Sequence, residues 1–276
     1  MRKPSLLAGL TALVLSGLCF ASAFAAPIPA DAARQPKTLW RLVMQDYYGP
    51  YDQTKKCWVA RLDHEQVCMR PHRLDQASIH GVNHLFLVIG GVVLGDDSEP
   101  RQSHADAGAL GLIILKTEGS ALALVAKNDL HSAFGTSGAV PAEDQFELRQ
   151  IGPDDTYGWL ATSGWMGQGH NITSATIFAA RGQDIVSLGD IPNHYDNQGN
   201  CENGKVLDSG KPCTDYSAEL SFDTSDQSAR FYPVIMKIAG TREGVTLDQT
   251  FTKTFDDQSF TYKSIEGLPE EFANGI

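Results

Sequence analysis

The sequence lacks long stretches in which apolar residues recur every three or four positions, which is the pattern of amphipathic helices. Short apolar or alternating runs take their place, separated by turn residues that include many of the 26 glycines. This excludes a helical bundle. It predicts an all-β fold, an antiparallel and meander-rich sandwich or barrel of about a dozen short strands. Helix is expected to be minor, with single turns at Asp129–Phe134 and Pro269–Phe272.

The strands are predicted from alternation and from β-branched or aromatic runs. Turns at Glu118-Gly119 and Arg181-Gly182-Gln183 indicate hairpins. Gly90-Gly91 suggests a further hairpin turn or a bulge. The expected strands are Thr38–Asp46, Trp58–Leu62, Leu85–Leu94, Leu110–Lys116, Ala121–Lys127, Gln145–Ile151, Tyr157–Ser163, Ile172–Ala180, Asp184–Leu188, Ala218–Asp223, Phe231–Ala239, Val245–Phe255 and Ser259–Ser264.

Long apolar runs are also scarce. The main one, Leu6–Phe20, follows Arg2 and Lys3 and ends at Ala23-Phe24-Ala25, which is the pattern of a secretory signal peptide over residues 1–25. It is shorter than the roughly 20 residues that a spanning helix needs, so we expect no membrane span. Leu18 precedes Cys19, which does not fit a lipid-attachment site.

Basic residues are few, with 22 Lys and Arg against 33 Asp and Glu. Arg2 and Lys3 would leave with the signal peptide, which lowers the basic total to 20 and gives a net charge of −13. Nucleic acid and anionic membranes would repel such a surface. A basic protein partner would suit it, and so would a role in solubility alone.

Closely spaced cysteine pairs of the kind that bind zinc are absent. Four cysteines follow the signal peptide, and an even number in an exported chain predicts two disulfides. Closeness in sequence favours Cys57–Cys68 and Cys201–Cys213, each stabilising by about 3 kcal/mol through chain entropy. The protein is therefore expected in the periplasm or secreted. Residues 26–37 look like a flexible lead-in, and 38–276 like one β domain, with a division near residue 140 as the alternative.

Two polar regions are the candidate binding surfaces. The segment from Ile191 to Tyr216 is long for a loop, and the Cys201–Cys213 staple does not explain its polar residues Asn193, His194, Tyr195, Asp196 and Asn197. A glycine-rich segment, 164–170, carries Trp165 and His170. Aromatic residues dominate binding hot spots, so both segments are predicted to bind a partner.

A catalytic alternative depends on Ser137. The Gly135-Thr136-Ser137-Gly138 segment resembles the nucleophile loop of trypsin-like serine proteases, where glycines let backbone N–H groups form an oxyanion hole. His80 or His84 and Asp96 or Asp97 precede the serine in the expected order. Their spacing departs from that family, and a simple Gly/Ser/Thr turn explains the segment too. The lipase pattern Gly-x-Ser-x-Gly is absent, since residue 139 is alanine.

Carboxylate-rich turns raise the further alternative of calcium, which takes oxygen ligands. The densest set is Asp190, Asn193, Asp196 and Asn197. No other cofactor is indicated.

The sequence favours a non-enzymatic binding protein of the cell envelope, such as an inhibitor or immunity-type protein, that acts through polar loops. The alternatives are a secreted serine hydrolase that uses Ser137 and a calcium-binding structural protein of the envelope.

Overall fold

A computed structural model describes residues 27–62, 64–103, 105–130 and 132–274, and the expected signal peptide lies outside these residues. Two α-helices are α1 (Pro36–Tyr48) and α2 (Glu270–Asn274), and 3₁₀ turns span Ala30–Arg34, Glu143–Gln145 and Gln198–Asn200. The strands of the described residues are β1 (Tyr51–Asp52), β2 (Cys57–Leu62), β3 (Glu65–Ile79), β4 (Val82–Leu94), β5 (Gly108–Glu118), β6 (Ala121–Lys127), β7 (Ser132–Phe134), β8 (Phe146–Gly152), β9 (Thr156–Gly167), β10 (His170–Arg181), β11 (Asp184–Asp196), β12 (Cys201–Glu202), β13 (Lys205–Val206), β14 (Asp215–Phe222), β15 (Val234–Arg242), β16 (Val245–Lys253), β17 (Phe255–Asp256) and β18 (Thr261–Tyr262).

The prediction of an all-β fold is confirmed. Strands β1 to β6 form an antiparallel series, and β8 to β11 form another. The two series join where β6 meets β11 in parallel at one residue pair, Lys127 and Asp184. β14, β15 and β16 extend the sheet from the far end of β11. Both predicted hairpins are present, with turns between Glu118 and Ala121 and between Arg181 and Asp184.

Three cores lie between the layers. α1 packs against one side of β2–β5 over a helix-side core that includes Leu39, Leu85 and Ile113. The other side of β4 and β5 packs against β8–β10 over a middle core around Phe86 and Trp159, as in a sandwich. A C-terminal core fills the space between β10–β11, β14–β16 and the chain after residue 254. Alternate residues of β4 enter the first two cores, as the two-residue period of a strand requires.

The first predicted strand, Thr38–Asp46, is wrong, because this segment is part of helix α1. Leu39, Val43 and Met44 are fully buried and recur at the spacing of one helix face. Pro36 stands in the first turn, where the missing N–H costs no hydrogen bond. Packing of this face against the sheet selects the helix, although the segment is rich in β-forming residues.

The expected flexible lead-in is also folded. Ala30–Arg34 form a 3₁₀ turn in which Ala32 and Ala33 are buried. The carbonyl of Ile28 accepts a 2.8 Å hydrogen bond from the N–H of Leu122. These small side chains allow the segment to pack closely against β6 and α1.

The sequence analysis missed the longest strand, β3, because Pro71 interrupts it and a proline normally argues against a central strand. In the structure, a register shift in the β3–β4 ladder between Pro71 and Arg73 accommodates the proline within the strand. Gly90 and Gly91 lie within β4 and pair with Arg70 and Met69 of β3, so they form neither the suggested hairpin turn nor the suggested bulge. The helical turn expected at Asp129–Phe134 is wrong as well, since Ser132–Phe134 form β7. A helical turn does lie close to Pro269–Phe272, as α2.

Both predicted disulfides are present, Cys57–Cys68 and Cys201–Cys213. Two disulfides indicate an oxidising environment, either the periplasm or the outside of the cell. No helix within the described ranges has the length and apolar character needed to cross a membrane.

Candidate functional site

The polar residues predicted to lie in a long loop belong instead to a strand. Asn193, His194, Tyr195 and Asp196 form the end of β11, and Asn197 follows directly. Hydrogen bonding to β10 on one side and β14 on the other explains why so polar a segment is extended. Asn193 lies at a register shift, where its Oδ1 accepts a hydrogen bond from Thr173 Oγ1 at 2.5 Å. These residues are therefore rigid and not part of a mobile loop.

Aromatic residues occupy one side of this sheet end. Register places Tyr195 between Ile172 of β10 and Tyr216 of β14, so the three side chains share a side. His170 Nδ1 and the Tyr195 hydroxyl are hydrogen-bonded at 2.9 Å. Burial, reinforced by the charges of Glu271 and Asp196, raises the pKa of Tyr195, which therefore stays protonated at neutral pH.

A chain of contacts continues from Tyr195 to the C-terminal helix. The Tyr195 and Tyr216 rings have centroids 5.7 Å apart. Tyr216 donates its hydroxyl hydrogen to Glu271 Oε2 at 3.0 Å, and Arg242 Nε lies 3.1 Å from the same oxygen. Burial first, and then the charge of Glu271, raises the pKa of Tyr216 far above its ordinary value. This side of the site is a closed network that attaches α2 to the sheet.

The opposite side of the same strands is polar and partly exposed, and we call it the polar face. His194 Nδ1 lies 3.0 Å from Ser217 Oγ on the paired residue of β14, and His194 Nε2 lies 2.9 Å from Asp196 Oδ2. Asn171 donates a hydrogen bond to the same carboxylate oxygen at 3.1 Å. The polar face consists of Asn171, Thr173, His194, Asp196, Asp215 and Ser217.

Asp196 is held in its charged form. Burial alone would raise its pKa, but hydrogen bonds from the Gln198 N–H, His194 and Asn171 outweigh burial and hold the pKa below its ordinary value. Asp215 is the residue directly opposite on β14 and is exposed. Two carboxylates of like charge therefore face each other across a strand pair, an arrangement that is destabilising by itself.

Acidic character continues outward from the polar face. Alternate residues of β14, β15 and β16 point to the same side and are exposed except for half-buried Ile235, whereas those between them are mostly buried or half-buried. Besides Asp215, two of these exposed residues are acidic, Glu219 and Asp248, and Lys237 is basic. Together with Asp196 and Asp215, the surface presents four carboxylates and one lysine, and the others are mainly serine and threonine.

Trp165 lies near these residues but not in the predicted loop. Strand β9 continues to Gly167, and a tight turn at Gln168-Gly169 leads into His170. A Cβ atom added at Gly167 would overlap the Trp165 ring, so the glycine allows the indole to lie against the backbone. The indole is half-buried, whereas the side chain of Met166 on the opposite side is 75% exposed. Trp159, by contrast, is fully buried.

The loop closed by Cys201 and Cys213 packs on this hairpin. Asn200 Nδ2 donates a 2.7 Å hydrogen bond to the Gln168 carbonyl and lies 3.4 Å from His170 Nε2. Asn197 Oδ1 accepts a hydrogen bond from the Thr214 N–H at 2.9 Å, which ties the two ends of the loop together. All seven predicted binding residues thus lie at one end of the sheet, distributed over its two sides.

The structure does not bring Ser137 to either candidate histidine. Ser137 lies in a turn. Ala139 and Val140, two and three residues further along the chain, pack against Gly108, the first residue of β5. His84 pairs with Lys116 near the other end of β5, eight residues away and therefore about 25 Å from Gly108. His80 is in the turn just beyond. The trypsin-like arrangement is consequently wrong.

The four oxygen ligands suggested for calcium do not converge. Asp190 and Asp196 are six residues apart on an extended strand, roughly 15–20 Å. Asp190 accepts a hydrogen bond from Thr176, and Asn193 from Thr173. In the part of the chain that the structure describes, no three His, Cys, Asp or Glu side chains are grouped closely enough to hold a metal ion.

Ser217, His194 and Asp196 form a hydrogen-bonded series of the residue types found in serine hydrolases. An oxyanion hole requires free N–H donors near the serine. Here β11 lies between β10 and β14, and β14 lies between β11 and β15. The backbone N–H groups are therefore used in hydrogen bonds between the strands. The arrangement is better suited to presenting donors and acceptors to a partner than to stabilising an oxyanion.

Sequence reasoning missed Ser217, Arg242 and Glu271. Their roles depend on strand pairing and on the docking of α2, which join residues as far as 55 positions apart in sequence. Asn171 had a visible signal, since it is a polar residue beside the predicted His170. Comparison with known proteins found no matching family model, no similar curated protein and no similar solved structure.

Proposed function

We propose that this chain is a non-enzymatic binding protein that acts in the periplasm or outside the cell, and that a basic protein partner docks on the polar face. One observation carries the proposal, the opposed pair Asp196 and Asp215 on exposed strands. Hydrogen bonds from the Gln198 N–H, His194 and Asn171 keep Asp196 charged there. A lysine or arginine from a partner would relieve the repulsion between the two carboxylates and displace little ordered structure.

The surrounding surface supports a protein partner over a small cation. Glu219, Asp248 and the hydroxyl side chains of β14–β16 extend the acidic area over three strands, which is the scale of a protein interface. The strands are fixed by pairing, so little conformational freedom would be lost on binding. An inhibitor or immunity-type role, in which a basic protein is neutralised, fits this geometry.

The test uses the oxidised protein as immobilised bait against envelope and secreted extracts, read by mass spectrometry. Three baits are compared: wild type, D196N/D215N on the polar face, and D96N/D97N in the exposed turn after β4, which removes the same charge. We expect one basic protein to be retained by the first and third baits in stoichiometric amount and lost by the second.

Equal loss from both variants would show general attraction to an acidic chain and contradict a specific polar face. Retention by D196N/D215N, or an extract that yields no such protein, would also count against the proposal.

A serine hydrolase that uses Ser217 is the second candidate, because Ser217, His194 and Asp196 are hydrogen-bonded in series. A serine-directed fluorophosphonate distinguishes the two functions. Under the binding proposal Ser217 stays unlabelled in the folded protein. Labelling of Ser217 that disappears in His194→Ala would replace binding with hydrolysis.

A further inference from the structure

A groove of about 680 Å³ lies at the opposite end of the chain, where α1 crosses the beginning of the sheet. Three aromatic side chains form its walls. Trp40 comes from α1, Tyr51 from β1 and Trp58 from β2. None of these residues belongs to the polar face. The groove volume is within the range of small-molecule sites, roughly 300–1,000 Å³.

The aromatic walls are held in place by their surroundings. Trp40 and Trp58 are half-buried and pack against the helix-side core. Tyr51 is 39% exposed, and its ring meets that of Trp58 edge to face with centroids 4.7 Å apart. Trp58 follows Cys57 in β2, and the Cys57–Cys68 disulfide that joins β2 to β3 is buried. Rigid aromatic surfaces lose little rotamer freedom when a flat ligand stacks on them.

The same groove collects positive charge on a chain that is acidic overall. Lys37, Arg41, Lys56 and Arg70 line it, and all four are exposed. No Asp or Glu of the described residues belongs to the lining. Nor does any carboxylate of the described residues lie within 4.0 Å of these four cations. The chain as a whole has a net charge of −11, so the groove reverses the sign of its surroundings.

Arg70 is the best-positioned of the four cations. Its Nε donates to the Lys56 carbonyl and its Nη2 to the Lys55 carbonyl, both at 3.1 Å. These two hydrogen bonds fix the guanidinium plane beside the aromatic walls and leave the Nη1 hydrogens for another acceptor. Guanidinium groups held in this way recognise carboxylate, sulfate and phosphate groups with defined geometry.

We propose that this groove binds a small anionic ligand that carries an aromatic ring system. The three rings supply stacking surfaces for the flat part, and Arg70 with Lys56, Lys37 and Arg41 attracts the acidic group. A macromolecular polyanion fits less well, because it would extend beyond the groove over the acidic remainder of the surface. The site is separate from the polar face and independent of its basic partner.

The probe is 8-anilinonaphthalene-1-sulfonate, and N-phenyl-1-naphthylamine, which has the same rings without the sulfonate, is the matched control ligand. The chain has four tryptophans, so an ¹⁵N-labelled sample gives four indole N–H signals. Trp40→Phe and Trp58→Phe assign the two from the groove. We expect the sulfonate to shift these two signals saturably and to leave that of buried Trp159 in place, with the neutral analogue binding at least about tenfold more weakly.

Charge variants then test which cations act. Arg70→Gln and Arg41→Gln are each expected to weaken sulfonate binding by about tenfold and to change binding of the neutral analogue little. Arg41 has no hydrogen bond to a described residue and is exposed on α1, so its variant remains informative if loss of the Arg70 hydrogen bonds disturbs the turn. The matched control is Lys237→Gln on β15.

Three results would overturn the proposal. The first is equal affinity for the sulfonate and the neutral analogue, which would reduce the groove to a general apolar surface. The second is a shift confined to indole signals outside the groove. The third is a loss of affinity in Lys237→Gln as large as in Arg41→Gln, which would show a response to net charge alone.

Discussion

The two disulfides close loops of nearly equal length, with sequence separations of 11 and 12, yet they lie in different surroundings. Cys57 and Cys68 are buried between β2 and β3, where Leu94 packs against them. Cys201 and Cys213 are half-exposed and join the ends of an irregular loop. The first disulfide therefore adds to packing and strand pairing that already exist. The second disulfide stabilises a loop that has no hydrophobic core of its own.

Each disulfide also supports a different candidate site. The buried disulfide joins β2 to β3 directly before Trp58 and two residues before Arg70, which line the aromatic groove, and the loop disulfide closes the segment whose Asn200 contacts Gln168 and His170. The comparison suggests that this chain uses the same covalent device in two ways, once to make a core region rigid and once to position polar surface residues. Three experiments, from the largest expected effect to the smallest, can contradict or refine this view.

Removal of each disulfide should separate the two roles most clearly. C57A/C68A is expected to lower the free energy of unfolding by about 4 kcal/mol, because it loses both chain-entropy stabilisation and buried packing. C201A/C213A loses only the entropic part and should lower it by about 3 kcal/mol. Urea unfolding measures both values. Equal losses would show that burial of Cys57 and Cys68 contributes nothing.

Two asparagines offer the same comparison without covalent bonds. Asn128 is buried, its Oδ1 accepts from the N–H groups of Leu112 and Leu130, and its Nδ2 donates to the Leu110 carbonyl and to Ser132. Asn128→Ala would leave buried backbone groups without partners and should cost about 2–3 kcal/mol. Asn197→Ala, in the half-exposed loop, should cost about 1 kcal/mol.

The measurement is again urea unfolding, with partner retention in the pull-down as a second readout. Only Asn197→Ala is expected to reduce retention. A reversed order of stabilities would contradict the assignment of Asn128 to the structure and Asn197 to the surface.

The smallest expected effect is the pH dependence at Asp196. Its pKa is lowered in the folded protein, so its charged form contributes stability above the unfolded value of about 4, and this contribution is lost as pH falls through the folded pKa. Asp196→Asn should therefore destabilise by less than about 1 kcal/mol at pH 7, and the difference from wild type should shrink at pH 3.

Chemical unfolding at the two pH values gives the difference, with Asp248→Asn on the same side as the control. A difference that grows as the solution is acidified would reverse the assignment of the lowered pKa.

The sequence was sufficient where a local pattern decides the structure. Both disulfides and the Glu118-Gly119 and Arg181-Gly182-Gln183 hairpins were predicted from spacing, turn residues and alternation. It failed where tertiary contacts override the local pattern. Leu39, Val43 and Met44 have helical spacing, but the β-forming residues around them favoured a strand, and only packing on the sheet decides for the helix.

The candidate sites show the same limit. The polar residues from Asn193 to Asn197 were grouped together but assigned to a loop, because so polar a run does not look like a strand. In the structure they belong to a half-solvated strand between two others, and such a strand need not be apolar. The partners of the site residues come from β14 and α2, whose pairing no local pattern contains. Trp40, Tyr51 and Arg70 come together only because α1 crosses the first strands.

The middle core, in which the rings of Phe86 and Trp159 meet edge to face at 5.5 Å, has a consequence for how this sequence can evolve. Among the described residues the two strand series pair along their ladders at a single residue pair, so their mutual fit depends on the side chains of this layer. Substitutions there must compensate one another across the layer. Mutations on the groove side or the polar face do not need this compensation, because no residue of either surface belongs to the middle core.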